Sequence, residues 1–266
     1  MTPSWPAPSP IGPFRVLVAE DNRLNSLLIA EQLHVLELEP EVVTNGCIAL
    51  ERWRGGRFAA VLTDINMPDM DGYELAKAIR AEEDAGTRIP IIALTANAFI
   101  DTSDRWQAAG IDDWLIKPVD LAVLKAVMNR WLLQQDPGPS PVAQRAFAAG
   151  SEAIDPSALP RIVGDDPAML AEFMAEFARS AEQADARLEV AMAGPNGRAE
   201  VASLAHQLKS SAAAVGAGHL AQLCKDIELA ARAEDDAALA SARRELPAEI
   251  RRVTHWIAAH GCAEHD

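Results

Sequence analysis

The sequence predicts an α/β domain built on a doubly wound parallel sheet, followed by an all-α helical bundle. Two observations support this prediction. In the first half of the chain, short apolar runs alternate with amphipathic segments of helix length. In the second half no strand pattern returns, and apolar residues follow helical spacing. Between the halves, Pro, Gly, Ser and Ala dominate the composition, as is typical of a linker.

A chain of 266 residues is long enough for about two domains of ordinary size. The predicted organisation is a disordered N-terminal segment at residues 1–13, the α/β domain at 14–134, a linker at 135–153, the helical domain at 154–260 and a tail at 261–266.

Five apolar runs define the strands of the first domain. In chain order they are Arg15–Ala19, Glu41–Val43, Ala59–Thr63, Ile89–Leu94 and Asp113–Ile116. Continuous apolar runs separated by helices are typical of parallel strands covered on both faces. With five units, we expect the sheet order 2-1-3-4-5.

Helix signals dominate the second domain. Asp155-Pro156 and Asp166-Pro167 each place a capping carboxylate before a proline suited to the first helical position. Apolar stripes follow, as in a helical bundle core. Pro247 lies inside the last stripe and is expected to kink or split that helix.

Composition limits the classes of partner. The net charge of -15 disfavours nucleic acid and anionic membrane surfaces, so we expect protein partners. No signal-peptide pattern and no apolar stretch of about 18 residues occurs, which favours a soluble, cytoplasmic protein without direct membrane contact. The odd number of cysteines, three, favours a reducing compartment.

Three carboxylates follow neighbouring strands of the predicted sheet. Glu20 and Asp21 come directly after the first strand, and Asp64 follows the third. Like charges this close repel unless a cation lies among them, and Mg²⁺ prefers such oxygen ligands. Lys117 after the fifth strand and Thr95 after the fourth could contact a phosphoryl group there.

These residues resemble the receiver domain of response regulators and hybrid histidine kinases, a flavodoxin-like fold, across about residues 14 to 134. The matching positions are Glu20-Asp21, Asp64-Ile65-Asn66-Met67-Pro68 with Asp71-Gly72, Thr95-Ala96 and Lys117-Pro118. The resemblance implies that Asp64 accepts phosphate. It also implies that Mg²⁺ is bound by Glu20 and Asp21, directly or through water, by Asp64 and by the carbonyl of Asn66. It also implies that Thr95 and Lys117 contact the phosphoryl group.

An aspartate-phosphorylating phosphatase of the haloacid-dehalogenase type is a rival interpretation. Its chemistry needs a second aspartate two residues after the nucleophile as a general acid. Asn66 occupies that position, and an amide cannot donate and reclaim a proton. The sequence therefore argues against this class.

A histidine in the second domain is the other candidate nucleophile. His206 is two positions from both Leu204 and Leu208 on the predicted helix. At about 100° per residue, it should point away from the core and face solvent. Lys209, one turn away, could meet the charge of an incoming phosphate.

This segment resembles the histidine-containing phosphotransfer (HPt) domain, a four-helix bundle, across about residues 154 to 260. The motif is His206-Gln207-Leu208-Lys209-Ser210-Ser211. The resemblance implies that His206 accepts phosphate and that Lys209 assists.

Together the two resemblances imply a two-component phosphorelay. In it a sensor histidine kinase phosphorylates Asp64. His206 then exchanges the phosphoryl group with Asp64 or with a downstream response regulator receiver domain. No glycine-rich nucleotide-binding motif occurs in the chain, so we expect no ATP-binding kinase core in it. The domain order resembles the C-terminal end of unorthodox hybrid kinases. Two alternatives stay open: an interaction module that is switched by phosphate or independent of it, and a phosphate sink.

Overall fold

The computed structural model describes residues 14–84, 86, 88–96, 103–132, 153–194 and 197–260. Residues 1–13, residues 261–266 and all of the predicted linker except its last residue lie outside these ranges. The chain forms two compact units, which we call the sheet unit and the helical unit.

The sheet unit alternates strands and helices from residue 15 to residue 132. Its elements are β1 Arg15–Ala19, α1 Arg23–Val35, β2 Glu39–Val43, α2 Gly46–Gly55, β3 Ala60–Asp64, α3 Gly72–Glu82, β4 Ile91–Thr95, α4 Ser103–Ala109, β5 Asp113–Ile116 and α5 Leu121–Leu132. All four strand pairings are parallel, and the order is β2-β1-β3-β4-β5. The predicted doubly wound sheet and its strand order are confirmed.

Each face of the sheet is covered by helices. On one face Leu17, Val61 and Ile91 pack with apolar residues of α2, α3 and α4. On the other face, residues next to these along the same strands pack with α1 and α5. Burying one such side chain fully stabilises the fold by roughly 1.5–3 kcal/mol. Both faces of the central strands are therefore core, which explains why their sequences are continuous apolar runs.

The loop between β3 and α3 is held close to the end of β3. Asp71 caps α3 by accepting from the backbone N–H of Glu74, whose side chain accepts in return from the N–H of Asp71. A Cβ atom on Gly72 would lie 2.4 Å from the carbonyl oxygen of Asp64. Only glycine allows this approach, so the loop after Asp64 turns back sharply against the strand end.

The helical unit contains α6 Ala158–Val163, α7 Pro167–Met192, α8 Gly197–Ala214, α9 Gly218–Arg232 and α10 Asp236–His260. The Asp166 side chain caps α7, with Pro167 at the first helical position, as predicted. α8 packs against α7 and α9, and α10 packs against the same two helices, so the four long helices form the predicted bundle. None of the helices in the described ranges is both long and apolar enough to cross a bilayer.

Pro247 does not split α10, which continues unbroken from Asp236 to His260. Leu246 and Ile250 on either side of the proline are buried. Packing of these neighbours explains why the helix persists although proline removes one backbone donor.

Candidate functional sites

An acidic cluster lies where the carboxyl ends of β1 and β3 meet. One carboxylate oxygen from each of Glu20, Asp21 and Asp64 lies within 4.8 Å of the other two. Glu20 and Asp64 are each only 1% exposed, while Asp21 is half-buried. The structure thus brings together the three carboxylates that strand order predicted.

Lys117, directly after β5, reaches into this cluster. Its ammonium donates to Asp64 Oδ2 at 2.7 Å and to Glu20 Oε2 at 3.0 Å. The backbone N–H of Lys117 donates to the carbonyl of Thr95 at 2.7 Å, which ties the ends of β4 and β5 together. The ammonium is therefore positioned by the sheet and neutralises part of the acidic cluster.

Burial controls the charge of Glu20. It raises the pKa of this carboxyl to about 7, with Lys117 opposing the shift and the negative charge of Asp64 adding to it. Burial by itself would lower the pKa of Lys117, but the charges of Asp64 and Glu20 raise it, so the ammonium stays charged. One lysine among three carboxylates leaves an excess of negative charge at this edge.

Hydrogen bonds orient the two buried carboxylates. Asp64 Oδ1 accepts from the backbone N–H of Asn66 at 3.2 Å, and Glu20 Oε1 accepts from the side-chain amide of Asn25 at 3.3 Å. Thr95 is buried and lies one residue beyond Leu94, the strand partner of Asp64. Each predicted residue of this site therefore lies at the same edge of the sheet.

The donor set of the acidic cluster fits a hard divalent cation. It offers carboxylate oxygens and no sulfur or imidazole ligand among the described residues near it. Burial, and after it the negative charge of Asp64, raises the pKa of Glu20, and a bound cation would oppose both effects by stabilising the carboxylate.

The structure corrects one expectation for His206, which is buried and does not face solvent. The residue is 8% exposed, and its side chain retains about a tenth of its exposure. α8 lies between α7 and α9, so more than one side of this helix is covered. Ala202, Ala205 and Ser210 are buried along with His206, which a single apolar stripe does not predict.

His206 is tied to α9 by a carboxylate that the sequence reasoning missed. Its Nδ1 lies 2.9 Å from Oε1 of Glu228, and the Lys209 ammonium donates to Oε2 of Glu228 at 2.6 Å. The same ammonium lies 3.3 Å from His206 Nδ1. Arg232, one turn beyond Glu228, adds an ion pair to Oε1 at 2.8 Å.

The positive groups around Glu228 keep it ionised. Burial by itself would raise the pKa of this carboxyl, but hydrogen bonds from His206 and Lys209 outweigh that effect and lower the pKa to about 2. A signal for this residue existed in the sequence. Glu228 follows Cys224 by four positions, which places a carboxylate on the buried stripe of α9.

A second histidine and carboxylate pair in the same bundle has no phosphotransfer motif around it. His219 Nδ1 lies 3.2 Å from Oε2 of Glu249, which also pairs with Arg252. The His219 side chain is 53% exposed, whereas Glu249 is buried. This pair offers a matched comparison for His206 and Glu228.

Two family models match the chain, one in each unit. Residues 16–129 match the response regulator receiver domain, and residues 168–256 match the Hpt domain. The first matched range contains Asp64 and its neighbours, and the second contains His206.

Sensor proteins of bacteria are similar to this chain over most of its length. The virulence sensor protein BvgS of Bordetella pertussis is 33% identical over 81% of the chain. The aerobic respiration control sensor protein ArcB of Escherichia coli is 28% identical over 93% of the chain. These matches cover 18% and 30% of the lengths of the two relatives, so the chain spans less than a third of either.

Among solved structures, the receiver domain of sensor histidine kinase PA1611 from Pseudomonas aeruginosa is 36% identical. The match covers 46% of this chain and 98% of that domain, with a TM-score of 0.43. That receiver domain was crystallised with a magnesium ion in its active-site cleft.

Proposed function

Because the chain belongs to the two-component phosphorelay proteins, with a receiver domain followed by an Hpt domain, we propose that Asp64 and His206 are its phosphoryl acceptors. One observation carries the proposal for Asp64: Glu20, Asp21, Asp64 and Lys117 converge at one edge of the sheet. For His206, the supporting observation is its burial together with the carboxylate of Glu228, because the other described histidines are exposed. We also propose that the receiver domain spans residues 14–134 and the Hpt domain residues 154–260.

The first transfer forms an acyl phosphate. A carboxylate oxygen of Asp64 attacks the phosphorus of a donor phosphohistidine, the P–N bond breaks, and the donor nitrogen keeps the electron pair. Phosphorylation removes the carboxylate charge that Lys117 contacts, and the ammonium is then positioned to bind a phosphoryl oxygen. Thr95 supplies a hydroxyl at the same edge.

The second transfer moves the phosphoryl group to imidazole. A nitrogen lone pair of His206 attacks the phosphorus, and the electrons of the breaking P–O bond return to Asp64. A neutral ring is required for this attack. The reverse reaction returns the phosphoryl group to Asp64 or passes it to the aspartate of another receiver.

Magnesium is the cofactor we propose. Its proposed ligands are Glu20 and Asp21, directly or through water, together with Asp64 and the carbonyl of Asn66. When bound, it neutralises charge on the phosphoryl oxygens. The excess of carboxylates over ammonium groups at this edge supports the proposal.

The proposed partners are a sensor histidine kinase upstream and a receiver domain downstream. The net charge of -15 supports protein partners over nucleic acid. The similarity to BvgS and ArcB supports membership in a sensor pathway.

Labelled acetyl phosphate with Mg²⁺ tests the relay. We expect a base-labile acyl phosphate on Asp64, followed by an acid-labile phosphoramidate on His206. Asp64→Asn should abolish both labels, and His206→Gln should leave only the first. His219→Gln is the matched control and should change neither. Mixing the Asp64→Asn and His206→Gln chains shows whether transfer between molecules occurs.

One outcome would favour the interaction module instead of the relay. Label that stays on Asp64 in the unaltered chain, also when a purified receiver domain is added, would leave the helical unit as a docking appendage. Rapid loss of label from the chain as inorganic phosphate, dependent on His206, would indicate a phosphate sink.

A further inference from the structure

We propose that Gln32 of α1 is a positioning residue for Lys117: its buried side-chain amide holds the loop between β5 and α5, and this loop directs the Lys117 ammonium at Asp64. The inference rests on the proposed roles of Asp64 and Lys117 in phosphoryl transfer. It goes further by naming a residue outside the acidic cluster that sets the position of the ammonium.

Gln32 is a polar side chain in apolar surroundings. It is 0% exposed, and it shares the buried face of α1 with Ile29 and Leu33. These two residues belong to the core cluster that also contains Val119 and Leu124. A buried amide is unfavourable unless it is hydrogen-bonded, whereas an apolar side chain fills such a place without that cost. The amide at this position therefore indicates a specific contact.

The contact is with the loop that carries Lys117. Gln32 Nε2 donates to the carbonyl oxygen of Val119 at 2.7 Å, and the hydrogen bond is buried. Val119 follows Lys117 by two residues and lies beyond the end of β5 at Ile116. The hydrogen bonds of the strand ladder do not extend to this carbonyl, and a helix on one face of the sheet holds it instead.

The loop is also held on both sides of this contact. Before it, the backbone N–H of Lys117 donates to the carbonyl of Thr95 at 2.7 Å. After it, the Asp120 side chain accepts from the N–H of Ala122 at 2.9 Å, at the beginning of α5. Gln32 fixes the backbone between these two points. The Lys117 side chain, only 5% exposed, therefore starts from a backbone with little freedom to move.

A second buried amide on α1 holds the other partner of this ammonium. Asn25 lies seven residues before Gln32, which is about two helical turns, so both amides project from the same side of α1. Asn25 Nδ2 donates to Glu20 Oε1 at 3.3 Å, and the Lys117 ammonium donates to Oε2 of the same carboxylate at 3.0 Å. One helix thus fixes both members of this ion pair relative to each other.

One substitution removes the amide and keeps the packing. Gln32→Met introduces an unbranched side chain of similar size that fills an apolar site but cannot donate a hydrogen bond. Gln107→Met makes the same change at an exposed position of α4 and is the matched control. Thermal unfolding of both full-length variants shows whether each is folded at the temperature of the measurements below.

Nitrogen NMR of the chain labelled with ¹⁵N-lysine reads the ammonium directly. The Lys117 signal is assigned by its loss in Lys117→Arg. We expect Gln32→Met to shift this signal and to speed the exchange of its protons with water, and Gln107→Met to do neither. A residue that only stabilised the fold would leave the signal of the folded variant unchanged. An unchanged Lys117 signal in folded Gln32→Met would overturn the proposal.

The rate of Asp64 labelling by acetyl phosphate and Mg²⁺ is the second readout, measured with His206→Gln also present so that label stays on Asp64. The net strength of one hydrogen bond corresponds to a factor of about 3 to 10 in an equilibrium. We therefore expect Gln32→Met to slow labelling by about three- to tenfold, and Gln107→Met to have no effect. Equal rates in the two variants would overturn the positioning role.

A measurement on the unaltered chain decides if Gln32→Met does not fold. The side-chain amide protons of Gln32 should exchange with deuterium more than about tenfold more slowly than those of exposed Gln107, because Gln32 is buried and hydrogen-bonded. Equal exchange rates would show that the contact with Val119 is not maintained, and the proposal would fall.

Failure of this inference differs from failure of the proposed function. If the Lys117 signal moves in Gln32→Met but the unaltered chain takes no label on Asp64, the proposed function fails and the positioning contact stands. If Asp64 is labelled at the same rate in Gln32→Met and Gln107→Met, phosphoryl acceptance stands and the role of Gln32 fails.

Discussion

The ammonium of Lys117 lies 2.7 Å from Oδ2 of Asp64 and 3.0 Å from Oε2 of Glu20, and all three side chains are almost fully buried. A buried carboxylate is stable in its charged form only when a cation or a hydrogen bond compensates it. Lys117 is the compensating side chain, and the same ammonium is the group proposed to contact the phosphoryl oxygens. Stability and phosphorylation at this site are therefore coupled.

Lys117→Met should destabilise the sheet unit. Removing one partner of a buried ion pair typically costs about 3–5 kcal/mol, because the remaining charge stays buried without compensation. We expect a lower urea midpoint in the absence of Mg²⁺ and little label on Asp64 from acetyl phosphate. Lys125→Met on the exposed side of α5 is the control and should match the unaltered chain. Equal urea midpoints for the two variants would contradict the role assigned to Lys117.

Magnesium should stabilise the sheet unit through the acidic cluster. A ligand that binds only the folded state adds ~2.7 kcal/mol when its concentration is one hundred times its dissociation constant. We expect calorimetry to show a higher unfolding temperature with MgCl₂, and Asp21→Asn to reduce the shift. Asp69→Asn removes an exposed carboxylate of the loop that follows β3 and should retain the full shift. A shift of equal size in both variants would place the ion elsewhere.

The sheet and its acidic edge were predictable because two strong rules apply to them. Strands that are buried on both faces must be continuously apolar, as Val16 to Ala19 and Ala60 to Leu62 are. Parallel strands end at a common edge, so residues directly after β1, β3 and β5 have to meet there. The positions of Glu20, Asp64 and Lys117 follow from topology, without any knowledge of side-chain packing.

The surroundings of His206 were not predictable in the same way. Helical spacing identifies one buried stripe, but α8 is covered by both α7 and α9, so residues outside the Leu204 and Leu208 stripe are also buried. The partner Glu228 lies on another helix, 22 residues further along the chain. Its contact with His206 depends on the packing of α8 against α9, which the periodicity of either helix by itself does not fix.

Chemical modification should distinguish the two histidines of the bundle. The His206 side chain is 10% exposed and the His219 side chain is 53% exposed. We expect diethyl pyrocarbonate to modify His219 several-fold faster in the folded chain, because the reagent must reach a ring nitrogen. Mass spectrometry of digested samples measures both rates, and the urea-unfolded chain, where the two rates should converge, is the control. Faster modification of His206 in the folded chain would contradict the burial described for it.

Acid should destabilise the helical unit partly through Glu228. Its pKa is about 2 in the folded chain against an ordinary value of 4.5, so the carboxylate contributes stability that is fully present above pH 4.5. This contribution is lost as the pH falls from about 4.5 to about 2, because the unfolded state then binds the proton more readily. The groups that face the carboxylate are His206 and Lys209 of α8 and Cys224 and Arg232 of α9.

Glu228→Gln should remove this part of the acid sensitivity, since a neutral amide binds no proton in that range. Urea unfolding at a series of pH values measures the free energy of unfolding of both chains, and the difference between them should shrink as the pH falls below 4.5. Glu245→Gln removes an exposed carboxylate of α10 and is the control for net charge. If the difference in free energy of unfolding between the unaltered chain and Glu228→Gln stays constant across this pH range, the positive groups around Glu228 do not stabilise its carboxylate.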